Sequence, residues 1–139
     1  MQIDTTTDFG KRVERRLREE TIVWLTTVRH DGTPQPTPVW FLWDGETVLM
    51  YSRPNQQKQR NIEHNPKVAL HFDGDGHGGN IIILTGEARI VTDAPPATDN
   101  ADYTEKYAGP IKQIGMDAAS FAAAYSVAIR ITPTELRGH

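Results

Sequence analysis

Cysteine is absent from the 139 residues, which removes disulfides, thiol nucleophiles and cysteine-ligated metals at once. An excess of either charge is missing too. Fifteen Lys and Arg stand against 18 Asp and Glu, a net charge of −3 with both signs interspersed. Electrostatic nucleic-acid binding needs a strongly basic face, so nothing here points to a nucleic-acid partner. No apolar run approaches the ~20 residues of a membrane span. No charged leader precedes an apolar stretch at the N-terminus. These gaps predict a cytoplasmic protein with no membrane partner. The length suits one domain, residues 1–139, with a core of its own.

Several chemical signatures also fail on inspection. Gly74 to Gly79 matches a G-x-G-x-x-G pattern after a strand, but it runs into Ile81-Ile82-Ile83, a second strand. Dinucleotide binding needs a helix N-terminus there. Asp73 and Asp75 begin like a calcium loop, yet the twelfth position is Leu84 where a bidentate Glu is required. His71 and His77 match no familiar ligand spacing, so no metal is expected. Ser52, Ser120 and Ser126 lack a nucleophile elbow, which argues against a hydrolase.

What the chain does have is concentrated in residues 31 to 73. Asp31-Gly32 and Asp44-Gly45 each lie between apolar runs, a hairpin signal because both residues tolerate positive φ. They divide three strands, about Ile22 to Arg29, Pro36 to Trp43 and Thr47 to Ser52. Pro34, Pro36 and Pro38 share one parity, so their missing N–H groups lie along one side. That side cannot donate to a ladder. The segment is therefore an edge, a bulge, or a place where something other than a strand approaches. Gln35, Thr37 and Val39 keep their amides free to pair. Val39, Phe41 and Trp43 point one way and Trp40 and Leu42 the other. Both faces need cover, and a second subunit is the expected solution, with simple helix cover as the alternative.

A short helix follows, opened by Pro54-Asn55, running to about His64 and closed by Asn65-Pro66. Ile62 is its only strongly apolar residue from Gln56 onward, so it marks the inward face, and Lys58 lies one turn earlier on that face. Arg60 and Asn61 flank it, and Ser52 and Arg53 precede the helix start. Such a set suits a phosphate. The alternative is that Lys58 lays its stem on the core and keeps its head in water.

Elsewhere, Phe9, Val13 and Leu17 recur at fours behind Asp8 as a cap, giving an amphipathic first helix. Val68 to Phe72 and Ile81 to Val91 read as strands, with Gly86 marking a bulge or close approach. Ala94 to Pro96 is a linker. Ala101 to Tyr107 and Ala118 to Ala124 read as helices separated by a break at Gly109-Pro110. Val127, Ile129 and Ile131 alternate as a final strand. The sum is an α+β fold, a small antiparallel split β-barrel of about six strands with flanking helices.

The first strand IVWLTTVRHDG, the second PTPVWFLWDG, the YS pair, the K-x-R-N-I-x-x-N-P-x-V-A-L run, LTGEARIV and AIRITPTELRG carry a family likeness through their order and spacing. Together they resemble the pyridoxamine-phosphate-oxidase-like split β-barrel group, closest to its deazaflavin-using branch, the coenzyme F420-dependent reductases. The resemblance implies an oxidoreductase that passes a hydride from reduced F420 to an organic acceptor. It implies Lys58 on the cofactor phosphate with Ser52, Arg60 and Asn61 nearby. Thr37, Pro38, Val39 and Trp40 would lie against the tricyclic ring. It also implies a homodimer with a shared site, to which the loop around His77 would contribute. The more basic motif of the flavin-phosphate oxidases is not found, which favours F420 over riboflavin phosphate (FMN). An FMN-dependent enzyme and a non-catalytic flavin, deazaflavin or haem carrier are the alternatives. No catalytic residue stands out; water or Tyr51 would be the proton source.

Overall fold

The computed structural model describes residues 1–139. Helix α1, Asp8–Glu19, buries Val13 and Leu17 completely. Its cap is Thr7 rather than Asp8: the Thr7 side chain accepts from the Gly10 N–H at 3.0 Å. Asp8 instead occupies the first turn, where its charge meets the helix dipole. Strands β1 (Val23–Val28), β2 (Pro34–Val39), β3 (Leu42–Trp43) and β4 (Val48–Ser52) come next, then helix α2, Gln57–His64. Strands β5 (Lys67–His71) and β6 (Ile82–Val91) lead through a short 3-10 turn into α3 (Ala101–Gln113) and α4 (Ala118–Ala124). Strand β7, Val127–Gly138, closes the chain.

All seven strands form one curled antiparallel sheet in the order β2-β1-β5-β6-β7-β4-β3, the expected split barrel. Strand β2 is an edge, with Val39, Thr37 and Gln35 opposite Val23, Leu25 and Thr27. The prolines alternate with these residues, so the edge is the one a proline row can tolerate. Both hairpins form as expected, with Gly32 and Gly45 at positive φ. Gly86 sits at a register shift against β7, and a Cβ there would collide with the Thr132 carbonyl oxygen. It is a bulge at a close backbone approach.

The structure departs from the sequence reading in three places. The second strand is interrupted at Trp40-Phe41, which makes seven strands rather than six. The cause is local: the Phe41 N–H donates to the Tyr107 hydroxyl at 2.8 Å, and Lys106 Nζ donates to the Phe41 carbonyl at 2.8 Å. Helix α3 thus takes the backbone groups a ladder would have used. That helix also runs through Gly109-Pro110 without breaking. Tyr103, Tyr107 and Ile111 recur at fours and are all buried, and this outweighs the ~3 kcal/mol cost of an internal proline. Finally, β7 extends well past Ile131 because the long β6 continues to pair with it beyond the bulge.

Two apolar clusters lie on the two sides of the sheet. Val39, Phe41 and Trp43 join the larger one with Val13, Leu17 and Leu25. Trp40 and Leu42 pack on the smaller one, built from Tyr103, Tyr107 and Ile111 of α3 and Phe121 of α4. Trp40 stacks on Tyr107 at 4.8 Å and on Phe121 at 5.6 Å between ring centroids. The second apolar face of this strand is therefore covered by helices of the same chain. Helix cover is the alternative the sequence left open, and Trp40 and Leu42 remain only partly buried by it.

Candidate cofactor cleft

Ile62 is 3% exposed and anchors α2 to the barrel, which leaves Lys58, one turn earlier, half-buried at the rim. Two clefts meet at this lysine. A polar one of about 200 Å³ is lined by Thr27, Gln35, Pro36, Thr37, Gln56, Gln57 and Lys58. An apolar one of about 260 Å³ is lined by Pro38, Val39, Trp40, Ile114, Phe121, Tyr125 and, again, Lys58. Lys58 makes no ion pair, and burial lowers its pKa with no carboxylate to oppose the effect. An unpaired ammonium held half out of water is poised for an anion.

Asn61 sets the character of the polar cleft from behind its wall. It is 2% exposed, and its amide NH2 donates to Thr27 Oγ1 and to Gln35 Oε1, both at 2.9 Å. Its own oxygen accepts from Gln57 Nε2 at 2.8 Å. With their acceptor oxygens engaged, Thr27 and Gln35 have an O–H and an NH2 left to offer. The wall thus presents donors beside a cation, the chemistry of an oxyanion site.

Of the site residues expected from sequence, Thr37 lines the polar cleft, Pro38, Val39 and Trp40 line the apolar one, and Lys58 joins them. The other four stand apart from the cleft walls. Ser52 is 2% exposed, donating to the Arg53 carbonyl and accepting from Gln59, each at 3.1 Å. Arg60 is exposed and folds back on its own helix start, donating to the Asn55 carbonyl at 3.2 Å and Gln57 Oε1 at 2.9 Å. Asn61 acts through Thr27 and Gln35. His77 lies in the exposed loop between β5 and β6, its N–H bonded to Asp75. Tyr51 donates to the Pro95 carbonyl at 2.8 Å and is absent from both linings.

The sequence reading missed Thr27, Gln35, Gln56 and Gln57 on the polar side and Ile114, Phe121 and Tyr125 on the apolar side. Gln35 carried a signal, since it shares the parity of Thr37. Gln56 and Gln57 open the same helix as Lys58, whereas Thr27 comes from β1 and Ile114, Phe121 and Tyr125 from α3, α4 and their C-terminal ends, distant in sequence. Arg53 also reaches this region, its guanidinium 4.7 Å over the Tyr125 ring.

A donor-lined cleft and an aromatic cleft thus share one lysine. The family model described as pyridoxamine 5'-phosphate oxidase matches residues 9–139. The chain belongs to the pyridoxamine 5'-phosphate oxidase family. Within it, an F420 reductase structure is 31% identical, with 89% of this chain and 94% of that one covered and a TM-score of 0.71. The fold is shared more widely. HutZ, the haem-storage protein of Vibrio cholerae, superposes at a TM-score of 0.64 with 16% identity, over 99% of this chain and 95% of that one. An FAD-binding protein of Mesorhizobium loti gives 0.65 at 16% identity, over 91% and 89%. Among curated proteins nothing matches. No helix is long and apolar enough to cross a membrane. The family includes oxidoreductases.

Proposed function

We propose that the protein is an oxidoreductase that binds reduced coenzyme F420 and delivers its hydride to an organic acceptor. The observation that carries this reading is the meeting of a donor-lined cleft and an aromatic cleft at Lys58. A ligand with a phosphate at one end and a flat ring at the other fits that pair. The likeness to an F420 reductase supports this cofactor over FMN. When bound, reduced F420 supplies the hydride. Lys58, Thr27 and Gln35 hold the phosphate, Pro38 to Trp40 support the ring, and Phe121 and Tyr125 exclude water. Such chemistry asks the protein mainly for position and a shaped acceptor space. Neither cleft offers a carboxyl or imidazole group, and with Lys58 assigned to the phosphate the proton comes from water.

We place the working form as a homodimer. Each cleft falls below the ~300 Å³ at which ligand pockets usually begin. Ile114 on the apolar wall is 49% exposed, and a second subunit would complete the enclosure. Light scattering should report about twice the 15.6 kDa chain mass.

Reduced F420 should be consumed in the presence of quinones, tetrapyrroles or unsaturated ketones, followed by the return of its oxidised absorbance. Binding of F420 with no turnover of any acceptor would transfer the reading to a carrier. Turnover with reduced FMN and none with reduced F420 would transfer it to the FMN enzyme. The carrier reading has one observation in its favour, the absence of a carboxyl or imidazole group from the clefts.

A further inference from the structure

We infer that the polar cleft selects a singly charged phosphodiester over a doubly charged phosphate monoester. The inference rests on the cofactor reading above and adds the charge state the site is built for. Lys58 is the only charged side chain lining the cleft, and the donors beside it, Thr27 and Gln35, are neutral. The two nearest arginines in sequence are engaged elsewhere. Arg60 is spent on the Asn55 carbonyl and Gln57, and Arg53 lies over the Tyr125 ring. A phosphodiester brings one negative charge, which one ammonium balances. A phosphate monoester near neutral pH carries close to two, since its second pKa is about 6. The second charge would enter a half-buried cleft whose lining holds no second cation, and an unpaired charge removed from water is costly. Gln56 and Gln57 at the outer end are exposed, so the second ester arm has a way out to solvent.

The inference predicts a proton linkage. A monoester can enter as its monoanion by taking up a proton, so its affinity should rise as pH falls from about 8 to about 6. The slope should approach tenfold per pH unit, because above about 6 the monoanion fraction falls tenfold per unit. A diester has no proton to take up in that window, so its affinity should stay flat. Lys58 is the only titratable group in the lining, and the diester titration, which has no ligand proton of its own, reads any change in its charge.

The test keeps the ring constant and varies only the phosphate, by titrating the wild-type protein with FMN, FMN monomethyl ester and riboflavin. At about pH 8 the ester should bind at least tenfold more tightly than FMN, and the gap should close by about pH 6. Gln56→Arg, which adds a second cation at the exposed end, should bring FMN level with the ester and flatten its pH dependence. FMN binding more tightly than its ester at pH 8, with no dependence on pH, would overturn the inference and leave the phosphate site standing. If neither phosphate compound outbinds riboflavin, the polar cleft is no phosphate site, and both the inference and the cofactor placement fall.

Discussion

Replacing Lys58 by methionine separates a binding role from a packing role, because the stem is kept and the charge is lost. In the free protein the ammonium has no anionic partner, and burial lowers its pKa. A lowered folded pKa means that the unfolded chain holds this proton more firmly. Stability therefore rises with pH through the window between the folded and unfolded values, and in Lys58→Met this rise should vanish. At neutral pH the variant should be as stable as the wild type or slightly more so, since a buried charge without a partner has been removed. Binding should move the opposite way. Hydrogen bonds to charged groups contribute about 1.5–3 kcal/mol, so F420 affinity should fall roughly ten- to hundredfold. Fluorescence titration with F420, run beside thermal unfolding, reads both quantities. Added salt should weaken wild-type binding more than binding by the variant, because only the wild type has the half-exposed charge to screen. A variant that binds F420 normally but melts lower would refute the reasoning and make Lys58 a structural residue.

Asn61→Asp leaves Thr27 and Gln35 without their donor and adds a negative charge behind the cleft wall. Affinity measurements should show at least a tenfold loss, and denaturant unfolding a loss of ~1–3 kcal/mol from unsatisfied buried groups. Two neighbouring tyrosines should behave oppositely. The Tyr103 hydroxyl is buried with no partner, so Tyr103→Phe should leave stability unchanged or raise it. Tyr107 accepts from Phe41 and donates to the Thr21 carbonyl at 2.8 Å, so Tyr107→Phe should cost ~1–3 kcal/mol in the same assay. Burial lowers the Lys106 pKa from 10.5 to about 8, so the unfolded chain binds more protons above pH 8 and stability should climb from there toward pH 10. Burial raises the pKa of Tyr103 and Tyr107, whose contribution is present below pH ~10 and lost above it, so the climb should turn over there. Lys106→Met should flatten the rising limb alone.

Local chemistry made much of the fold legible. The two Asp-Gly turns, the proline row, the Asn-Pro stop after α2 and the Gly86 bulge each act through backbone constraints on a few neighbouring residues. The continuation of α3 beyond Tyr107 and the interruption at Trp40-Phe41 were not legible, because both are decided by contacts across the fold. Pro110 stays helical since Tyr103, Tyr107 and Ile111 bury one face, and Phe41 leaves the ladder since Lys106 and Tyr107 claim its backbone. The same division runs through the site. Lys58 and the Thr37 to Trp40 strand could be read from parity and helical spacing. Thr27, Phe121 and Tyr125 come from elements far along the chain, and only the folded sheet brings them to the lysine. Residues beside Lys58 in sequence were the misleading part. Ser52 and Arg60 are close along the chain, yet their hydrogen bonds go to Gln59, Gln57 and backbone carbonyls.

The central claim is that one ligand spans both clefts, with its phosphate at Lys58 and its ring against Pro38 to Trp40. A crystal structure of the protein with F420 tests this most directly. The account predicts phosphate oxygens within hydrogen-bond reach of Lys58 Nζ, the Thr27 hydroxyl and the Gln35 amide, with the tricyclic ring beside Trp40 and Tyr125. A phosphate bound away from Lys58, or a ring outside the Trp40 cleft, would contradict it.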